Sequence, residues 1–131
     1  MEDTKTPNPL SFPYYHGYEG EQFSFYRIPK LLMTSEYFRM LSTDAKVLYG
    51  LMLDRMSLSM KNHWLDDQGR VYIFFPVEEV MEMLHCKSEK ATKLLAELDS
   101  KKGIGLIERV RQGQGKPSII YIKNFAGKEL G

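Results

Sequence analysis

An α+β fold dominated by helices is what this sequence of 131 residues predicts, on three observations. The stretch Leu84–Lys123 sets a helix of about four turns before two short β-rich runs, Leu106–Arg111 and Ser118–Lys123. A shorter helical segment, Val77–Leu84, precedes that helix across the turn His85-Cys86-Lys87. Charge is unevenly placed: residues 85–123 hold 9 Lys/Arg against 4 Asp/Glu, whereas residues 1–84 hold 8 against 12. Two helices across a tight turn, followed by a hairpin with a basic tip, make a winged helix-turn-helix with a small antiparallel sheet.

In chain order, residues 1–22 combine Pro7, Pro9 and Pro13 with Phe12, Tyr14, Tyr15 and Tyr18. The prolines oppose helix and the aromatics are too sparse to form a core alone. The segment is either a flexible arm or one that packs its rings on the domain or on a second subunit. Phe23–Ile28 reads as a short edge strand ended by Pro29. Lys30–Arg39 reads as one or two irregular helical turns, with Leu31, Leu32, Tyr37 and Phe38 as core. Ser42 or Thr43 caps a long helix from Asp44 to about Lys61, where Ala45, Leu48, Met52 and Met56 form one apolar stripe beside Tyr49 and Leu51. Asn62–Arg70 is a loop turning at Gly69, with Trp64 at the core edge. Val71–Phe75 is a β-rich run able to pair with the hairpin. Pro76 opens the next helix, Glu78 and Glu79 suit the positive end of its dipole, and Val77, Val80, Met81 and Leu84 face inward.

The helix after the turn is expected to start with Ser88 as N-cap and to stop at Gly103 and Gly105, beyond Lys101 and Lys102. Ala91, Leu94, Leu95 and Leu98 fall at i, i+3, i+4 and i+7, which buries that stripe. Glu89, Lys93, Ala96 and Ser100 lie opposite, flanked by Lys90 and Thr92. In a helix-turn-helix the N-terminal residues of the second helix sit nearest the base edges in a major groove. Lys87, Ser88, Glu89, Lys90, Thr92, Lys93 and Ala96 are therefore the candidate DNA-binding residues of the helix. Ala96 keeps the outer face shallow, Glu89 can accept from a cytosine amine, and a lysine can donate to guanine or hold phosphate. The helix start beside Lys87 also suits a phosphate oxygen.

The wing Gln112-Gly113-Gln114-Gly115-Lys116-Pro117 supplies the second candidate set: Gln112, Gln114 and Lys116 at the tip, Arg109 and Arg111 on one face of the strand before it. If that face is the outer one, both arginines point toward DNA. The alternative is that this stretch is only a polar hairpin tip with no ligand.

Composition narrows the function classes. With 43% hydrophobic and 27% charged residues the chain matches one ordinary globular domain. No apolar run approaches the roughly 20 residues needed to span a bilayer, and the first residues lack the pattern of a secretory signal. Cys86 is the one cysteine, which excludes an internal disulfide and fits a reducing cytoplasm. His16, His63 and His85 are far apart, and no metalloprotease, nucleophile-elbow or phosphate-loop motif occurs. No catalytic residue, metal ligand or cofactor is expected.

Four ordered blocks carry a resemblance: F-Y-R-I-P-K-L-L at 25–32, L-S-T-D-A-K-V-L-Y-G-L-M-L-D-R-M-S-L-S at 41–59, N-x-W-x-D-x-x-G-R-V-Y-I at 62–73, and G-L-I-E-R-V-R-Q-G-Q-G-K-P-x-x-I-Y-I-K-N-F at 105–125. Together they resemble the amino-terminal DNA-binding domain of RepA-type plasmid replication initiator proteins of Gram-positive bacteria. The resemblance implies a winged-helix domain over residues 23–125 that binds repeated sites (iterons) in double-stranded plasmid origin DNA, usually as a homodimer. It also implies a separate carboxy-terminal domain that engages host replication proteins, with residues 126–131 as the start of the linker to it. The segment Lys87–Thr92 departs from a fixed pattern, because this part of the helix varies with origin sequence in such families. The alternatives are a winged-helix transcriptional repressor and a protein-interaction module that binds no nucleic acid.

Overall fold

In the computed structural model, residues 11–17 and 24–127 are described. Four α-helices and three strands follow in the order α1 (Lys30–Thr34), α2 (Thr43–Lys61), β1 (Tyr72–Ile73), α3 (Val77–Leu84), α4 (Ser88–Leu98), β2 (Ile107–Val110) and β3 (Ile119–Ile122). A single 3₁₀ turn, Glu36–Phe38, links α1 to α2. Of the arm expected over 1–22, residues 11–17 are exposed and the remainder lies outside the described residues. The linker expected at 126–131 is described only as far as Gly127.

The apolar stripes build the core. Leu48, Tyr49 and Met52 of α2 meet Leu94, Leu95 and Leu98 of α4 and Val80 of α3, all buried. Ser42 caps α2, its hydroxyl accepting from the Ala45 amide at 3.1 Å. Tyr49 carries its phenol to the far side and donates to the Lys123 carbonyl at 2.5 Å, tying α2 to the end of β3. Burial raises the Tyr49 pKa, so the phenol stays neutral.

The sheet has the order β1–β3–β2, antiparallel throughout. Tyr72 pairs with Tyr121 and Ile73 with Ile120, while Arg109 faces Ile120 across the hairpin. Ile73, Ile107 and Ile120 are buried against the helices, so the register assigns the other face to Tyr72, Glu108 and Tyr121.

Several boundaries differ from the sequence expectation. Ser24–Ile28, the described part of the expected edge strand, forms no strand. Instead it lies across α2 at Gly50, where a Cβ would stand 2.7 Å from the Arg27 carbonyl oxygen. Gly50→Ala is expected to destabilise the domain by about 1–3 kcal/mol through this overpacking, read as a lower denaturation midpoint in urea. β1 covers only Tyr72–Ile73 of the expected Val71–Phe75, because Phe74 and Phe75 leave the sheet to lead into α3. Tyr37 is 58% exposed rather than core, while its neighbour Phe38 is buried.

The loop 62–70 is held by one carboxylate. Asp66 Oδ1 accepts from the Gln68 and Arg70 amides at 2.9 and 2.8 Å, and Oδ2 from Arg70 Nε at 2.7 Å and the Tyr121 hydroxyl at 3.0 Å. The Arg70 amide, followed by the other donors, holds this carboxyl down to about 2 from its ordinary 3.8. A depressed folded-state pKa stabilises above the unfolded value and is lost as pH falls through the folded one. Stability should therefore drop between about pH 4 and pH 2, and Asp66→Asn should flatten that part of an acid denaturation profile.

Candidate nucleic-acid interface

The helix-turn-helix is fixed at both ends. α3 closes with His85 in the left-handed conformation at φ 53°, its amide donating to the Met81 carbonyl. The chain then passes Cys86 and an extended Lys87 into α4. At the start of α3, Arg55 of α2 donates to the Phe74 carbonyl at 2.9 Å and forms a two-point ion pair with Glu79. Its guanidinium also stacks on the Phe75 ring at 4.7 Å. That clamp sets α3 against α2, and α3 in turn positions α4.

Lys87, not Ser88, is the N-cap of α4, and no side chain caps this end. Ser88 has helical backbone geometry, which turns its hydroxyl outward as an exposed first residue. The amides of the first turn are thus not occupied by a cap, which leaves them available to an anion. α4 ends at Leu98, short of the expected Lys101–Lys102. Asp99 stops it: its backbone is extended and its carboxylate accepts from the Ser100 amide at 2.9 Å, competing with helix continuation. Gly103 packs so tightly under this end that a Cβ there would fall 2.0 Å from the Glu97 carbonyl.

Ser88, Glu89, Thr92 and Lys93 are exposed and Ala96 half-buried, while Ala91, Leu94, Leu95 and Leu98 are buried as their spacing requires. Lys90 is exposed but engaged: its ammonium lies 2.6 Å from Asp44 of α2. Asp44 raises the Lys90 pKa through this hydrogen bond. Glu97 accepts from both the amide and the hydroxyl of Ser42, at 2.9 and 2.8 Å, so two links join the start of α2 to α4. No periodicity within one helix reveals either link, since each joins residues far apart in the chain.

Arg109 does not lie on an outer face. It shares the face of buried Ile107, and its guanidinium meets the buried Asp99 at 3.1 Å. Arg109 also borders an apolar cleft between α4 and the wing, floored by Phe74, Phe75 and Val77 and walled by Leu95, Pro117 and Ile120. Beyond it the tip Arg111–Ser118 is exposed throughout. Gln112 folds back to donate to the Pro117 carbonyl at 2.8 Å, and Gly113 and Gly115 take positive φ of 126° and 80°. Gln114 and Lys116 are left projecting at the tip. Among the described residues, Lys87, Lys93, Arg111 and Lys116 have no ion pair, and these four cations lie on α4's first turns and on the wing.

No helix of the described residues is long and apolar enough to cross a membrane. The family profile described as "Replication initiator protein A (RepA) N-terminus" matches residues 24–130. A "41 kDa protein" of Lactobacillus helveticus is 33% identical over 104 residues, a match covering 75% of this chain and 29% of that protein. The chain therefore spans under a third of the length of that relative. Among solved structures, an "N-terminal domain of DNA binding protein" is 38% identical with a TM-score of 0.68, covering 87% of this chain and 85% of that one. A "Rep-DNA complex" matches at 38% identity and TM-score 0.68 over 86% and 84% of the two chains. An "MDR initiator" matches at 29% identity and TM-score 0.65 over 86% of each.

Proposed function

Because the chain belongs to the RepA N-terminus family of replication initiators, we propose that it is the origin-binding domain of a plasmid replication initiator. α4 enters the major groove of a repeated origin site and the wing grips the neighbouring backbone or minor groove. The placement of Lys87, Lys93, Arg111 and Lys116, exposed and without ion pairs, on α4's first turns and the wing carries this reading. A relative solved as a Rep-DNA complex shares the fold at 38% identity and supports it.

Within this proposal Ser88, Glu89, Thr92, Lys93 and Ala96 meet base edges. Lys87 and the open first turn of α4 hold a phosphate. Arg111, Gln114 and Lys116 hold the backbone beside the wing. Arg109 and Gln112 act by shaping the wing, since Arg109 is committed to Asp99 at the end of α4 and Gln112 to Pro117 within the wing. Two copies bound to adjacent half-sites would align two such readers, and successive copies on the repeats would mark the origin for unwinding. Recruitment of host replication proteins belongs, on this reading, to parts of the initiator outside the domain described. The role is binding without catalysis, exercised in the cytoplasm where plasmid DNA resides.

Lys116→Ala is expected to weaken binding to all duplexes alike and to lower the slope of log affinity against log salt by about one. An unchanged slope would remove the wing tip from the interface. Footprinting on plasmid DNA tests the wider claim: protection of origin repeats is expected, and protection confined to a promoter would favour a repressor.

A further inference from the structure

The start of α2 abuts the face of α4 that the proposed function turns toward DNA. Glu97 fixes this junction through its two hydrogen bonds to Ser42, and the junction holds Asp44 beside the first turns of α4. There Asp44 Oδ2 meets Lys90 Nζ at 2.6 Å, with the side chains 48% and 55% exposed. Asp44, Glu89, Lys90 and Lys93 line one crevice between the two helices. Lys93, the next lysine along α4, has no such partner among the described residues.

A lysine near the start of a recognition helix can serve two ends. On its flexible stem it can reach a backbone phosphate on any sequence, which raises affinity without discrimination. Held in place, it can instead donate to a base edge. The carboxylate of Asp44 favours the second outcome twice over: it occupies the ammonium, and its own charge opposes a phosphate approaching the same spot.

We propose that Asp44 is a specificity-determining residue for DNA, which withholds Lys90 from the phosphates and presents its ammonium to base edges. This rests on the DNA-binding reading above. Asp44 touches Lys90 rather than DNA in this account, so it is a positioning residue. The exposed pair is readily broken, which makes its effect a matter of bias between two sets of contacts rather than of folding.

The test compares the wild type with Asp44→Asn, Lys90→Ala and the double variant. The probes are a duplex recovered by the wild type from a randomised library and a shuffled duplex of the same composition, each at two salt concentrations. Asp44→Asn should bind the shuffled duplex about fivefold more tightly, with a salt slope steeper by about one. Its discrimination between the two duplexes should fall about tenfold, as expected for one misdirected base contact. In the Lys90→Ala background the same change should alter neither quantity by more than about twofold. Asp44→Ser, which keeps an oxygen acceptor in the first turn of α2, should reproduce Asp44→Asn and separates the effect from helix stability. Unchanged discrimination and slope in Asp44→Asn, or an equal change without Lys90, would overturn the assignment. A wild type that recovers no preferred duplex would instead overturn the DNA-binding reading itself.

Discussion

Arg109→Met is expected to destabilise the domain by about 2–4 kcal/mol, because it strands a buried carboxylate. Asp99 is 5% exposed, and Arg109 supplies its one cationic partner at 3.1 Å. The backbone amides of Ser100 and of position 109 remain, at 2.9 and 3.4 Å, but neutral donors alone do not offset the desolvation of a full charge. For a domain of this size the loss corresponds to a melting temperature lower by about 10 °C. Adding Asp99→Asn should recover at least half of it, since the amide oxygen can still accept from Ser100 while the buried charge is gone. A melting temperature unchanged in Arg109→Met would show that the pair is solvated and that α4 is not joined to the wing through it. The same pair gives this arginine a structural place: it fixes the wing's first strand to the end of α4.

Lys93→Ala carries the largest expected effect on binding. Lys93 is exposed on α4, one turn beyond Glu89, with no competing carboxylate within ion-pair distance among the described residues. Its loss should weaken binding to the preferred sequence by about 1–3 kcal/mol, roughly fivefold to 150-fold, as one base contact is worth. Binding to a shuffled duplex should fall much less. Equal losses on both duplexes would make Lys93 a phosphate contact, and no loss on either would turn this helix face away from the groove.

Much of this architecture was legible in the sequence, for identifiable reasons. The i, i+3, i+4, i+7 stripe of Ala91, Leu94, Leu95 and Leu98 is a local signal, and all four residues are buried. The three-residue turn and the glycine-bearing wing tip are equally local, and both occur where the sequence places them. What escaped was set by distant partners. The alternation along Ile107-Glu108-Arg109-Val110 puts Arg109 and Arg111 on one face but does not say which face is inner; Ile73 and Ile120 decide that. α4 ends before Lys101 and Lys102, which suit a helix terminus, because Asp99 is recruited by Arg109 ten residues on. Asp44 is the first-turn acid of α2, and only the packing of α2 on α4 brings it to Lys90. The candidate site was therefore readable as a list of side chains, but not as a division between those that are free and those already engaged.

The most direct test of the central claim is a fluorescence-anisotropy titration of the domain with a duplex carrying the plasmid's origin repeats and with a scrambled duplex, each at two salt concentrations. Tighter binding to the repeats is expected at both salts, with affinity for each duplex falling as salt rises. Equal affinity for the two duplexes, or no salt-dependent binding to either, would contradict it.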